Sequence, residues 1–337
     1  MASPKLVYVD DDLPGITRRR SGRGWAYCDP QGARITDRDE IDRLNAVGMP
    51  PAYRDCWFCP SPHGHIQAIG YDDRGRKQYR YHPDFRAAQE AEKYAGCAEF
   101  GRMLPLLRRQ VESDLAGRGL NKRTAVAAIV RLLDLGHVRI GNDAYTKSNG
   151  SFGATTLRNR HAAVKGVKLR LCYRGKSGTM QELTIADRRL STIVKRCQDL
   201  PGQRLFQYLD EAGERHPVSS TDVNDYIREA MGGAFTAKHF RTWGASVIAF
   251  RAIVEAGADG IGIKAMLDPV AQALGNTPAI SRKSYVHPAL VELARSGGLE
   301  GEVPVRLPRA TRWLDPAERG LIAFLDALGH KQRRKVA

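Results

Sequence analysis

Residues 84–115, DFRAAQEAEKYAGCAEFGRMLPLLRRQVESDL, decide the architecture. Apolar residues recur here at helical spacing, and NKRTAVAAIVRLLDLG at 121–136 repeats the pattern. Everything before Pro83 reads differently. GWAYCD (24–29) and ARI (33–35) flank the turn PQG and predict a hairpin. Asp37 to Glu40 has the form of a capping box before a short helix, EIDRLNAVG (40–48). DCWFC (55–59) predicts a strand, and HIQAIGY (65–71) and RKQYRYH (76–82) flank Asp72-Asp73-Arg74-Gly75 as a second hairpin. The change of texture predicts an α+β fold in two parts. A small β-rich domain spans 1–85, a larger mostly helical domain spans 86–337, and the linker lies near 82–92.

Within the second part, VKLRLCYRG (167–175) and GTMQELTI (178–185) predict a strand pair joined by Gly175-Lys176-Ser177-Gly178. Helices follow over 186–200, 221–232, 237–257 and 261–275, with Gly275 placed to end the last. The tail GHKQRRKVA (329–337) reads as a solvated, disordered basic end in loose contact with phosphates.

The chain has 337 residues, 42% hydrophobic and 27% charged, which suits a globular protein with a real core. No run approaches the ~20 apolar residues that cross a bilayer. MASPKLVYVDDD has no apolar signal region, so the expected location is cytoplasmic. Lysine and arginine number 53 against 37 acidic residues, a net charge of +16. Such a surplus attracts polyanions, and nucleic acid comes first because counterion release drives non-specific DNA affinity. The six cysteines are scattered and form no disulfide framework. Cys56-Trp-Phe-Cys59 with His63 and His65 is too cramped for a zinc site built on two knuckles, and no metal is expected.

RIGNDAYTKSNGSFGATTLRNRH, residues 139–161, resembles the signature stretch of poxvirus-like, bacterial type IB DNA topoisomerases. Arg139, Gly141, Tyr145, Asn149, Gly153, Thr156, Leu157, Arg158, Asn159, Arg160 and His161 carry that likeness without a gap. KHFRTWGAS resembles the family's Lys-x-x-Arg-Thr-aromatic-Gly element, giving Lys238 and Arg241, and GNTPAISRKSYVHP its terminal element, with Asn276 nine positions before Tyr285. GRKQYRY (75–81) matches a segment that the family lays on DNA. The likeness runs from about residue 25 to 290.

The resemblance implies a single chain closing as a clamp around duplex DNA, with a catalytic domain of the kind shared with tyrosine recombinases. Tyr285 is expected to attack a backbone phosphate and hold the 3′-phosphate. Arg139 is expected to bind the scissile phosphate and assist proton transfer, and Arg241 to clamp a non-bridging oxygen, as planar guanidiniums bind phosphate oxygens in pairs. Lys176 is the expected general acid for the departing 5′-oxygen. Asn276 stands where viral and eukaryotic relatives carry histidine; an amide donates a hydrogen bond but no charge. Lys77, Gln78, Tyr79, Tyr81, Tyr145 and Lys238 are the expected DNA contacts. Tyr79 and Tyr81 alternate on one strand and share a face. The bond energy is kept in a phosphotyrosine, so neither ATP nor a divalent metal is chemically required and no cofactor is expected. Two alternatives remain at this point: a tyrosine recombinase, which uses much the same chemistry, and a non-enzymatic basic chromosome-binding protein. A β-rich opening domain favours the topoisomerase.

Overall fold

The computed structural model describes residues 5–117, 119–296 and 307–336; the side chains at 91, 145, 258 and 330–336 lie outside the description. Contacts divide the chain into two units, 1–93 and 94–337.

The first unit is one antiparallel sheet, in the order β2-β1-β3-β4-β5, with a single helix between its strands. The elements are β1 (Ile16–Ser21), β2 (Gly24–Cys28), α1 (Arg38–Ala46), β3 (Arg54–Phe58), β4 (Ile66–Tyr71) and β5 (Lys77–Tyr81). The opening strand, ITRRRS, is absent from the sequence reading, and it takes the place expected for 33–35 beside β2. Residues 33–35 keep one bridge, Cys28 to Arg34, around a turn in which the Asp29 carboxylate accepts from Gln31 and Ala33 N–H groups. Three successive arginines hid β1 from any apolar periodicity. Arg18 is nevertheless accommodated, stacking 4.0 Å from the Trp25 ring centre and donating to the Met49 and Pro50 carbonyls. Ile16, Tyr27, Leu44, Phe58 and Ala68 form the small core. Asp37 caps α1 by accepting from Asp39 N–H. Cys56 lies on β3, as the strand reading required. β5 is an edge strand, so one side of KQYRY faces no sheet neighbour among the described residues.

α2 (Pro83–Ala95) leads out of this unit, so the stretch expected as a linker is helical. α3 (Cys97–Leu115) follows after a break at Gly96, which divides the run 84–115 in two. The second unit is built on α4 (Lys122–Gly136), capped by Asn121 accepting from Thr124 N–H. Ile129, Leu132 and Leu133 are fully buried on it. At roughly 1.5–3 kcal/mol for each buried side chain, this outweighs the ~1 kcal/mol of the cap. Then come α5 (Asp143–Asn149), β6 (Ala162–Lys165), β7 (Lys168–Arg174), β8 (Met180–Ala186), α6 (Arg188–Asp199), β9 (Gln207–Leu209), β10 (Arg215–Pro217) and α7 (Ser220–Met231). α8 (Ala237–Ala256), α9 (Ile263–Leu274), α10 (Pro278–Ser284), α11 (Pro288–Arg295) and α12 (Pro316–Val336) complete it. β6, β7 and β8 form an antiparallel sheet beside α4 and α6, while α3, α7 and α8 pack on α4. The basic tail is a correction: α12 carries its backbone in helix to Val336. Asp315 accepts from Glu318 N–H, Glu318 accepts from Asp315 N–H, and Leu321 and Phe324 are buried, so the helix starts well anchored and runs on through the lysines and arginines. Among the described residues no helix is long and apolar enough to cross a membrane.

Candidate active site

Arg139 owes its place to the end of α4. His137 closes that helix in the left-handed conformation, φ 49°, with its N–H on the Leu133 carbonyl, and the chain turns back. Residues 152–156 then grip the loop. Ala154 N–H donates to the Arg139 carbonyl at 2.8 Å, Thr155 N–H to that of Ile140 at 2.8 Å, and Phe152 N–H ties the same segment to Arg174 on β7 at 2.8 Å. A β-carbon on Gly153 would stand 2.6 Å from the Arg139 oxygen, so only glycine allows the approach. Much of the 139–161 signature is therefore framework. Leu157 is fully buried, His161 Nδ1 accepts from Arg158 N–H at 3.1 Å while its ring meets Phe152, and Asn159 Nδ2 donates to Gly202 at 3.0 Å.

Arg241 lies on α8 with 5% of its surface exposed. Its guanidinium donates to the carbonyls of His137 and Leu274, the latter at 3.1 Å. Gly244, one turn on, makes room for the His137 ring, which a β-carbon there would meet at 2.4 Å. The Arg-Thr-aromatic-Gly spacing thus binds α8 to the turn that presents Arg139. α9 ends at the left-handed Gly275, and Asn276 N–H reaches back to the Ala271 carbonyl at 3.0 Å. Asn276 Oδ1 accepts from Arg139 at 2.8 Å, and its Nδ2 is buried without a partner among the described residues. Tyr285 closes α10, its N–H on the Ser281 carbonyl at 3.0 Å. Two residues later His287 N–H donates to Ser246 Oγ at 3.0 Å, and that hydroxyl donates to Thr242 on α8. The helix that carries Arg241 therefore also fixes the chain leaving Tyr285. The Arg241 guanidinium sits 4.6 Å from the Tyr285 ring centre.

Burial pushes the Tyr285 phenol up, but Arg241 and Arg139, by charge and hydrogen bonding, outweigh it and hold the group below its ordinary 10. Tyr173, on β7 beside the same arginines and 4% exposed, goes the other way: burial wins and its phenol is pushed up to about 12. Of the two, only Tyr285 is shifted toward ionisation. Burial, then the charge of Arg139, lowers the Arg241 guanidinium as well, though it keeps its charge at neutral pH. Among the described residues neither Arg139 nor Arg241 has a carboxylate partner. The half-buried Arg108 shows the contrast, held by Asp134 at 2.8 Å and Glu318 at 2.7 Å. Two converging cations without an acid are unfavourable alone and favourable around an anion.

Lys176 is exposed in the β7–β8 turn and lines a cavity of about 170 Å³ together with Arg139 and Arg241. No described contact joins it to either arginine. In the first unit the Tyr79 and Tyr81 rings stack at 5.8 Å and 11°, 39% and 40% exposed, so the shared face is a solvent face and not a core stripe. Lys77 is ion-paired with Asp11, and Gln78 Nε2 donates to Asp72 at 3.3 Å. Lys238 is exposed in the first turn of α8, and Tyr145 lies on α5 with its side chain outside the described residues. Sequence reasoning missed His137, Tyr173 and Ser246. None belongs to a spacing pattern of its own; only packing reveals them.

Known proteins resemble this chain over most of its length. The family described as eukaryotic DNA topoisomerase I, catalytic core, matches residues 82–288, and the bacterial DNA topoisomerase IB N-terminal domain matches 24–72. DNA topoisomerase 1B of Acanthamoeba polyphaga mimivirus is 31% identical over 294 residues, covering 83% of this chain and 88% of that protein. DNA topoisomerase 1B of vaccinia virus (strain Copenhagen) is 19% identical over 230 residues, 67% of this chain and 72% of that protein. Among solved structures, a XerH site-specific recombinase bound to a palindromic difH substrate aligns at 16% identity with a TM-score of 0.36, over 56% of this chain and 50% of that chain. The match of the catalytic core over most of the chain, with the mimivirus relative, shows that the chain belongs to the type IB DNA topoisomerases.

Proposed function

We propose that this chain relaxes supercoiled duplex DNA by cutting one strand, letting it rotate about the other, and resealing it. Tyr285 Oη attacks the scissile phosphorus and gives up its proton to solvent. The bond from phosphorus to the 5′-oxygen breaks, and Lys176 Nζ delivers a proton to that oxygen. The strand is left as a 3′-phosphotyrosine and a 5′-hydroxyl. Arg139 and Arg241 bind the non-bridging oxygens, and Asn276 Nδ2 supplies a further hydrogen bond without charge. Religation reverses the steps, so no ATP is consumed. Tyr79, Tyr81, Lys77, Gln78, Tyr145 and Lys238 contact the duplex. Action by one chain encircling nucleoid DNA in the cytoplasm is part of the same proposal.

One observation carries the proposal: two arginines with no carboxylate partner among the described residues converge on one phenol whose ionisation they favour. The test is purified protein on supercoiled plasmid with EDTA and without ATP. A ladder of relaxed topoisomers is expected; binding with unchanged linking number would leave a DNA-binding protein only. Tyr285→Phe is expected to bind DNA with near-native affinity and form no covalent adduct. An adduct persisting in that variant would move the nucleophile elsewhere.

A further inference from the structure

The hairpin that bears Lys176 needs something to hold it over the arginines. On one side its β7 end is tied to the Arg139 loop through Phe152 N–H and the Arg174 carbonyl. On the other side the Gln181 side chain spans the gap. Gln181, paired across the hairpin with Tyr173, lies between Gly175 and Gly275. A β-carbon on Gly175 would meet Gln181 Cγ at 2.8 Å, and one on Gly275 would meet Gln181 Oε1 at 2.0 Å. Gln181 Nε2 also reaches the Gly275 carbonyl at 3.4 Å. Each glycine directly precedes a residue of the proposed site: Gly175 stands before Lys176 and Gly275 before Asn276. Gln181 lines the same cavity as Lys176, Arg139 and Arg241.

From this we infer that Gln181 is a positioning residue for proton transfer: wedged between the two glycines, it sets the height of the Lys176 turn relative to the end of α9. The turn is closed by its own backbone hydrogen bonds. Gly175 N–H bonds the Thr179 carbonyl at 2.8 Å, Gly178 N–H bonds that of Gly175 at 3.1 Å, and Ser177 is left-handed at φ 63°. A shift at Gly175 is therefore passed to Lys176 and not absorbed between them. Gln181 touches neither phosphorus nor the leaving oxygen. The inference rests on the proposed role of Lys176 as the acid.

The experiment measures single-turnover adduct formation by the full chain on a duplex with a mapped cleavage site. The substrate is made in two forms, with an ordinary 5′-bridging oxygen or with sulfur in its place, because a thiolate departs without needing a proton. Gln181→Ala is expected to slow cleavage of the oxygen substrate by roughly 10–100-fold, the scale of about an ångström of misplacement. On the sulfur substrate it is expected to cleave near the native rate, as Lys176→Ala does. Gln181→Met, which keeps the length of the wedge, is expected to recover most of the oxygen-substrate rate. Melting temperature and DNA affinity, measured alongside, are expected to stay near native for all three variants. Native-rate cleavage of the oxygen substrate by Gln181→Ala would overturn the proposal, as would a defect of equal size on both substrates. A Lys176→Ala defect that persists with sulfur would instead overturn the assignment of the acid, and this proposal with it.

Discussion

Tyr285 sits at a balance of opposed forces, and the balance is measurable. Burial disfavours its phenolate while Arg241 and Arg139 favour it, and the arginines prevail. Adduct formation is therefore expected to rise with pH and level off below pH 10. Arg139→Gln should move that inflection upward and lower the plateau, by roughly 10³-fold if the charge acts on the phosphoryl as arginine fingers do. An inflection unmoved in single-turnover pH profiles would mean that Arg139 acts elsewhere. His287, two residues on, carries a second pH signature. Burial pushes its imidazole down to about 4, and its Nδ1 accepts from Ala289 N–H to cap α11. Unfolded, the ring protonates near 6.5; folded, only near 4. The unfolded chain thus binds the extra proton across that window, and stability is expected to fall as pH drops from 6.5 toward 4, by roughly 3 kcal/mol from this group. His287→Asn keeps a capping acceptor and should show a shallower acid slope in chemical denaturation; an unchanged slope would place the acid sensitivity in other groups.

At the scale of elements, the acidic N-terminal segment competes for the strand expected to meet DNA. Val7 exchanges hydrogen bonds with His63 and His65, and this brings Asp11 onto Lys77, whose ammonium is held above the ordinary lysine range mainly by that hydrogen bond. Asp11→Asn should free one cation of β5. Affinity for duplex DNA is expected to rise several-fold, and the salt slope to steepen by about 0.9, one phosphate's worth of released counterions. Equal affinity and slope in the two proteins would show that Lys77 stays off the duplex. Such pairings explain what the sequence yields and what it hides. Elements with strong periodicity, such as α6 and α7, and hairpins with turn residues, such as β4–β5 and β7–β8, are legible because local chemistry and burial agree. β1 is not, because three arginines occupy it and their satisfaction comes from Trp25 and from carbonyls about thirty residues away. The helix through the basic tail is not, because Asp315, Glu318 and Phe324 anchor it upstream of the charges. For the site, Arg139, Arg241, Asn276 and Tyr285 came from a resemblance, and the structure supplies the reason for their spacing: glycines at 153 and 244 admit the neighbours that hold the arginines. Gln181 has no signature at all, since a wedge is defined by the two chains it separates.

Across the whole molecule, charge acts at two ranges that salt can separate. The surplus of 53 basic over 37 acidic residues makes a field that gathers DNA from a distance. Two arginines that support the second unit take acids with them, Arg108 with Asp134 and Glu318 and Arg131 with Asp187. The arginines of the site lack such partners among the described residues, and Arg241 is sheltered from solvent. The long-range field is screened within about 10 Å at 0.1 M salt, whereas contacts inside a closed site are screened far less. Raising salt from about 50 to 200 mM should therefore weaken binding by roughly 10³-fold or more, if six or more phosphates are neutralised. The rate of adduct formation at saturating protein should hardly change. On plasmid, the same shift should turn full relaxation of a few molecules into gradual relaxation of all, because each encounter ends sooner while the chemistry within it proceeds as before. A saturated cleavage rate that falls in step with affinity would show that the surface charges also assemble the site, and the separation of roles would fail.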